Sequence, residues 1–214
     1  MDIFGTYRAA AAPEKAASMS AYMRDQFLFL GIPTPERRKL GREFLKTKSK
    51  ADVDWNFVLE CWQQPEREFQ YLAKDYLSKV KSKLCPTDIS KLRKIIVTKP
   101  WWDTIDGLDT IVGDVAFRFP EVNDTLLAWS VDDNFWLRRI AIDHQLLRKE
   151  KTDTVLLEQI IVNNLGQTEF FVNKAIGWSL RDFSKTNPSW VRDFLEKYSD
   201  RMSPLSVREA NKYV

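Results

Sequence analysis

A helical pattern that recurs at nearly constant intervals constrains the fold of this chain more than any other feature. Similar segments begin at Phe69, Trp102, Trp136, Phe171 and Leu205, which lie 33 to 35 residues apart. Another segment with helical periodicity lies between successive members, so each repeat is a pair of helices. Helix pairs that recur at this interval are typical of an α-solenoid. We therefore predict an all-α chain of HEAT-like helix-hairpin repeats, because the tetratricopeptide consensus is absent.

Glycine and proline are scarce, and they mark the ends of the predicted helices. The 214 residues contain 7 glycines and 9 prolines, and the breaks include Pro33, Pro100, Pro120 and Pro188. Alternating patterns typical of strands are absent. A hydrophobic fraction of 44% is enough for an extensive core. We expect one domain over residues 1–214, with N-terminal helices in about 1–50 and the repeats in about 51–214.

Charge and cysteine content exclude several classes of protein. Lys plus Arg number 33 against 30 Asp plus Glu, and a net charge of +3 does not by itself indicate nucleic-acid binding. Cys61 and Cys85 form no Cys-x-x-Cys pair, which favours a reduced cytoplasmic compartment. No apolar run approaches the roughly 20 residues that span a bilayer, so we expect no membrane partner. His144 is the single histidine, and we expect neither a metal nor a cofactor.

Equivalent positions in stacked repeats align on one side of a solenoid, and the concave side is the usual binding face. The position three residues into each segment holds Leu72, Ile105, Arg139, Lys174 and Arg208. The last three predict a basic stripe, which Arg138 borders and which Trp178 and Arg181 extend along the helix of Lys174. Cations with interleaved aromatic residues suit a groove that follows a nucleic-acid backbone. We predict a concave DNA-binding groove at these positions.

Trp102 and Asp106 are the most suggestive pair, because a spacing of four places both on one helical face. Asp106 stands where most other repeats have Ala or Ile, and an aromatic wall beside a carboxylate would stabilise a cationic group. Three other interpretations stay open. Tryptophans commonly pack in cores, Arg138 and Arg139 suit a solvated helix edge, and Asp106 with Arg139 suits a structural bridge between repeats. Neighbouring Trp101 and Asp103 are expected to be mainly structural.

A second basic element follows the turn that contains Gly31 and Pro33. Arg37 and Arg38 lie at the start of the helix that this turn opens. A turn of this kind offers backbone amides and arginine side chains to a phosphate. An ordinary solvated helix explains the same residues equally well.

Five motifs resemble the AlkD-like DNA alkylation-repair glycosylases, a family built from HEAT-like repeats, over nearly the whole chain. The motifs are Gly31-Ile-Pro with Arg37-Arg38, Glu68–Leu77, Lys99–Asp106 with its Trp-Trp-Asp-Thr-Ile-Asp sequence, Asn134–Ala141 with Trp-Leu-Arg-Arg, and Phe170–Arg181 with Gly-Trp. Each is weak alone, and their order and spacing together make the match specific. The chain departs from the pattern at Lys74-Asp75, where an apolar residue is expected before the Asp.

The resemblance implies excision of cationic N3- and N7-alkylated purines from duplex DNA, without a metal or cofactor and without deep base flipping. It assigns the site to Trp102, Asp106, Arg139 and Trp178. Alkylation makes the base a good leaving group, so a carboxylate needs mainly to stabilise an oxocarbenium-like sugar and to orient water. Arg139 would then hold a phosphate or tune Asp106.

We expect a monomer, because a continuous DNA groove is compatible with one, and we expect it in a bacterial cytoplasm, associated with the nucleoid when it acts on DNA. Two alternatives remain at the level of the sequence. One is a non-catalytic HEAT-like module that binds distorted DNA through the same basic stripe. The other is a protein-binding scaffold, because a fold does not dictate a function.

Overall fold

Helices account for 73% of the chain in the computed structural model, which describes residues 2–214. The described residues contain no strand apart from an isolated bridge between Leu28 and Glu66. The α-helices are α1 Ile3–Ala9, α2 Pro13–Tyr22, α3 Thr34–Lys48, α4 Trp55–Gln63, α5 Arg67–Val80, α6 Ile89–Ile96, α7 Trp102–Arg118, α8 Asn123–Trp129, α9 Phe135–Asp143, α10 Thr154–Val162, α11 Phe170–Ser184, α12 Pro188–Tyr198 and α13 Pro204–Ala210. In the described part of the chain, none of them has both the length and the apolar character needed to cross a membrane.

Side chains that cap the first turn set the start of many helices. The Asp54 carboxylate accepts the amide of Phe57 at the start of α4, and Asp153 accepts the amides of Val155 and Leu156 at the start of α10. Asn134 and Asn187 cap α9 and α12 in the same way. Proline occupies the first turn of α2, α3, α12 and α13, where its missing N–H costs nothing. These local signals explain why the helices begin at the predicted breaks.

The helices form two compact units, Met1–Leu84 and Cys85–Val214. In the first unit α3 packs on α1 and α5, and α4 packs on α5. Its core contains the buried side chains of Tyr7, Phe69 and Tyr76. The carboxylate of Glu68 accepts the backbone amides of Leu30, Gly31 and Ile32 at 2.9, 2.9 and 3.2 Å, which ties the turn before α3 to α5.

The second unit has the helix-pair organisation that the sequence predicted. Helices α7, α9, α11 and α13 pack on one another in succession, while α6, α8 and α12 pack against α7, α9 and α11 respectively. The members of the packed row begin within a residue or two of the predicted starts at Trp102, Trp136, Phe171 and Leu205. The prediction of an all-α fold built from stacked helical repeats is confirmed. The boundary of a single domain at 1–214 and the DNA-binding groove stay predictions.

Candidate active site

Asp106 and Arg139 meet across neighbouring repeats of the second unit, on α7 and α9. The Arg139 Nε and Nη2 atoms donate to Asp106 Oδ1 at 2.9 and 2.8 Å, and Nη1 donates to the backbone carbonyl of Phe171 at 2.7 Å. The Arg139 side chain is 2% exposed, whereas that of Asp106 is 27% exposed. The expected bridge between repeats is therefore present. The guanidinium is buried and fixes the carboxylate, which reaches the surface.

Two further aspartates surround this pair, and the sequence analysis did not single them out. Asp143 Oδ2 lies 3.7 Å from Arg139 Nη2, and Asp143 and Asp109 are both almost fully buried. Asp143 Oδ1 is buried with no hydrogen-bond partner among the described residues. Asp143 lies one helical turn after Arg139, and Asp109 lies on the same helix as Asp106. This spacing of charged residues could have identified Asp109 and Asp143 from the sequence.

Burial raises the pKa of two of the acids in this site, Asp109 and Asp143. It raises the pKa of Asp143 to about 7, although Arg139 opposes the shift and Asp106 adds to it. Burial also raises the pKa of Asp109 well above its usual range, and the charge of Asp143 raises it further. Burial alone would lower the pKa of Arg139, but the carboxylates of Asp143 and Asp106 raise it instead. The site therefore holds a charged guanidinium, an Asp109 whose burial favours the protonated form, and an Asp143 that is near its titration midpoint at neutral pH.

Trp178 on α11 completes the cluster. The Arg139 guanidinium carbon lies 5.6 Å from the centre of its ring, and Lys174 and Arg181 lie 5.3 and 6.0 Å from it. Trp178 lines a cavity of about 290 Å³ together with Asp106, Asp109, Thr110, Arg139, Asp143, Leu146, Leu147, Arg181, Asp182 and Lys185. The predicted tryptophan and the predicted acid thus border the same cavity.

The two tryptophans at the start of α7 differ in their surroundings. Trp101 packs edge-on against Trp136 and Phe171, with ring centres 6.0 and 5.4 Å apart. Asp103 is buried. Trp102 is half-buried one turn before Asp106, and it is not among the described residues that line the cavity. The expectation that Trp101 and Asp103 are structural is consistent with this packing, and a direct role for Trp102 stays a prediction.

The predicted basic stripe divides into buried and exposed members. Lys174 and Arg181 pair with Glu209 at 2.9 and 2.8 Å, and Arg208 is exposed on α13. Arg138 is partly buried, and its Nε atom has no hydrogen-bond partner among the described residues. Lys174, Arg181 and Arg208 therefore present charge at the surface, whereas Arg139 does not.

The structure does not support a phosphate contact from Arg37 and the adjacent turn. Arg37 is 3% exposed, its Nη1 atom pairs with Asp75 at 2.6 Å, and its guanidinium carbon lies 5.0 Å from the centre of the Tyr71 ring. The amides of the turn donate to Glu68 and are not directed at a ligand. Arg38 is exposed, and Arg37 and Arg38 both line a second cavity of about 460 Å³. Arg42 and Lys79, which the sequence analysis did not single out, line it as well, and a phosphate contact there stays a prediction.

Comparison with known proteins identifies a family for this chain. A family model described as a DNA alkylation repair enzyme matches residues 5–214. The chain belongs to the DNA alkylation repair enzyme family. A solved structure described as a predicted DNA alkylation repair enzyme from Enterococcus faecalis has 37% sequence identity and a TM-score of 0.88, and the match covers 95% of this chain and 96% of that chain. No curated protein matches the chain.

Membership in this family gives the protein a role in the repair of alkylated DNA, with DNA as its partner. Within the part of the chain that the structure describes, the cavity that Asp106 and Trp178 border lies entirely in the second unit. Most of its residues come from three successive members of the packed row of helices, α7, α9 and α11, while Leu146 and Leu147 follow α9 and Lys185 follows α11.

Proposed function

We propose that the protein is a DNA glycosylase that excises cationic N3- and N7-alkylated purines from duplex DNA by hydrolysing the N-glycosidic bond. The observation that carries the proposal is the placement of Asp106, which reaches the surface of a cavity while a buried Arg139 holds one of its oxygens at two points. A carboxylate fixed in this way stabilises positive charge without having to reorganise during the reaction.

Excision of a cationic base requires little more than a carboxylate fixed in this way. Alkylation at N3 or N7 places a positive charge on the base, which then departs as a neutral molecule. The bond breaks as positive charge develops on the deoxyribose, and water adds to the sugar carbon while it loses a proton. Asp106 supplies the negative charge opposite the sugar and accepts that proton.

The ion pair with Arg139 does not remove the acidic character of the site. Asp106 and Asp143 share a single guanidinium, and the pKa of about 7 for Asp143 keeps part of its population ionised at neutral pH. The combined charge of Arg139, Asp106 and Asp143 is therefore zero or negative, which favours a developing cation next to Asp106. Arg139 is a positioning residue in this account, because its buried guanidinium contacts Asp106 and the Phe171 carbonyl.

The composition of the cavity favours recognition of the sugar and backbone over enclosure of a flipped base. Enzymes that flip a base stack it between aromatic or apolar side chains in a close-fitting pocket. Trp178 is the one aromatic side chain among the described residues that line this cavity, and the others include three aspartates around Arg139. Trp178 would contact the deoxyribose, with Trp102 at the edge of the site.

The test is to replace Asp106 with Asn and to measure release of N7-methylguanine and N3-methyladenine from alkylated duplex DNA. Spontaneous loss of these bases is subtracted with a sample that lacks protein. We expect release to fall at least about 100-fold, the scale of an acid-base contribution, while duplex binding is retained.

Asp114→Asn is a matched control on the same helix. Asp114 is partly exposed and pairs with an arginine, Arg118, at 3.0 Å, but it does not line the cavity. This variant should release both bases at the rate of the unmodified protein. If Asp106→Asn also retained that rate, Asp106 would not be the catalytic carboxylate, and a non-catalytic DNA-binding role would be the better account.

A further inference from the structure

One buried guanidinium faces two carboxylates of unequal exposure in the active-site cavity. Arg139 Nη2 lies 2.8 Å from Asp106 Oδ1 and 3.7 Å from Asp143 Oδ2. Both acids line the cavity, but Asp106 is partly exposed, whereas the side chain of Asp143 is 1% exposed. Asp106 is therefore the carboxylate within reach of a substrate, and Asp143 is connected to it through Arg139.

Close packing of α7 on the end of α9 buries Asp143. A Cβ atom added to Gly113 of α7 would collide with the backbone carbonyl of His144, the residue after Asp143, so only glycine permits this approach. The His144 amide donates to the Ile140 carbonyl at 2.9 Å, which continues the helical hydrogen bonding past Asp143. Asp143 is thus fixed at the contact between the two helices, near Arg139 and away from water.

Asp143 has fewer polar contacts than an ionised carboxylate needs. Its Oδ1 atom is buried without a hydrogen-bond partner among the described residues, and its Oδ2 atom lies beyond hydrogen-bond distance of Arg139. Asp109, a second buried acid, lines the same cavity from α7. Burial without donors and beside other acids disfavours the ionised form. The site therefore holds the charge of Asp143 only weakly, and the pKa of Asp143 is raised to about 7.

The charged groups that face Asp143 come from three helices of the packed row. They are Arg139 on its own helix, Asp106 and Asp109 on α7, and, across the cavity, Arg181 and Asp182 on α11 and Lys185 after it. Helices α6, α8 and α10 also pack on α9, and in the described part of the chain none of them contributes a residue to this cavity. Burial lowers the pKa of the adjacent His144 to about 3, so the histidine stays uncharged where Asp143 titrates.

The charge of Asp143 changes the environment of Asp106. When Asp143 is protonated, the guanidinium neutralises Asp106 alone. When Asp143 is ionised, the same guanidinium faces two carboxylates, and the three groups together carry one negative charge. That charge stabilises a cation on the sugar next to Asp106, and it makes Asp106 a better acceptor for the proton of the attacking water.

We propose that Asp143 is a positioning residue that sets the strength of the Asp106 carboxylate through the shared Arg139 guanidinium, so that base release is faster when Asp143 is ionised. The inference rests on the proposed glycosylase function and deepens it, because it names a second acid that controls the catalytic one without touching the substrate. Asp143 only exchanges a proton with solvent as the pH changes, and the bonds that form and break in the reaction stay the same.

The test compares the unmodified protein with Asp143→Asn in single-turnover release of N3-methyladenine from duplex DNA saturated with protein. Rates are measured at about pH 5 and about pH 8, on either side of the titration of Asp143, and spontaneous loss is subtracted at each pH. Asparagine has the shape of aspartate and mimics its protonated form. The two rates should agree within about twofold at the lower pH, and the unmodified protein should be roughly 10-fold faster at the higher pH.

The ratio of the two rates decides the outcome, because both proteins act on the same DNA and any titration of the DNA cancels. A ratio that is the same at the two pH values would overturn the proposal, since a merely structural effect of the replacement does not follow the charge of Asp143. A second measurement does not depend on the variant. The rate of the unmodified protein should itself rise roughly 10-fold between the two pH values, and a constant or falling rate would contradict the proposal.

Asp114→Asn is the matched control. Asp114 also pairs with an arginine four residues away, Arg118, at 3.0 Å, but it is not among the described residues that line the cavity. The ratio of the unmodified protein to this variant should be near one at both pH values. If the ratio changed with pH as much as it does for Asp143→Asn, the effect would reflect general charge, and the role of Asp143 would be wrong.

The failure of this inference is separable from the failure of the proposed function. Asp106→Asn lacks the catalytic carboxylate and should be slow at both pH values. If it is slow and the ratio for Asp143→Asn is constant, the glycosylase account stands and the role of Asp143 is lost. If Asp106→Asn releases the base as fast as the unmodified protein does, the proposed function fails, and this inference fails with it.

Discussion

Arg139 shows at the scale of a residue why a charged group can be both buried and necessary. Its guanidinium contacts Asp106, Asp143 and the Phe171 carbonyl, and it offsets the cost of holding acids away from water. Removing one partner of a buried ion pair typically costs about 3–5 kcal/mol. Loss of activity on truncating Arg139 would therefore reflect unfolding as much as chemistry. Asp106→Asn keeps the size of the side chain and tests the chemistry more directly.

The raised pKa of Asp143 predicts how the stability of the protein depends on pH. Its folded-state pKa of about 7 lies above its usual value of 3.8, so the folded protein holds a proton that the unfolded chain releases. Stability from this group is present below about pH 4 and is lost as the pH rises toward 7. Asp143→Asn removes the ionisation, so its free energy of unfolding relative to the unmodified protein should rise by roughly 2 kcal/mol between pH 5 and pH 8.

Urea unfolding at the two pH values measures this difference. Asp200→Asn is the control, because Asp200 is an aspartate that is exposed in the turn after α12. The groups that face Asp143 are Arg139 on its own helix and Asp106 and Asp109 on α7. If the difference between Asp143→Asn and the unmodified protein were the same at pH 5 and pH 8, ionisation of Asp143 would not oppose folding.

The close contact between helices α11 and α13 predicts that a side chain added at Gly177 destabilises the protein. Gly177→Ala would push Glu209 and the backbone of Ser206 away, and overpacking of this kind costs about 1–3 kcal/mol. Thermal or urea unfolding should show that loss. Equal stability of Gly177→Ala and the unmodified protein would contradict the packing argument.

Elements of this fold were predictable where their signals are local. Helix starts follow from caps such as Asp153 and from prolines in the first turn. The nearly constant interval between similar segments is the length of one helix pair. The turn at Gly31 was recognised as a turn, but the partner of its amides was not. That partner is Glu68, 37 residues from Gly31 in sequence, and only tertiary packing brings the two together.

At the scale of the whole molecule, the repeat alignment predicted half of the site. Asp106, Arg139 and Trp178 come together because equivalent positions of stacked repeats align. Asp109, Asp143 and Glu209 were missed because their importance depends on burial and on nearby charges, which composition does not show. Arg37 was singled out because a basic residue beside a turn suggests a phosphate contact. In the structure its side chain is buried and pairs with Asp75.

Selectivity for lesions is also a property of the whole site. A carboxylate that stabilises a sugar cation accelerates loss of a base only when the base departs readily, and a neutral base departs poorly. Matched duplexes that contain one N7-methylguanine or one uracil should therefore give release of methylguanine and negligible release of uracil. Efficient excision of uracil by the purified protein would contradict a mechanism that relies on a cationic leaving group.

The central claim is that Asp106, a carboxylate held in place on α7, promotes hydrolysis of the glycosidic bond of a cationic lesion. The most direct measurement is the single-turnover rate of N7-methylguanine release from duplex DNA saturated with protein, after subtraction of spontaneous loss. The account predicts that Asp106→Asn binds the duplex as well as the unmodified protein does and releases the base at least about 100-fold more slowly. Equal release rates for the two proteins on fully bound DNA would contradict it.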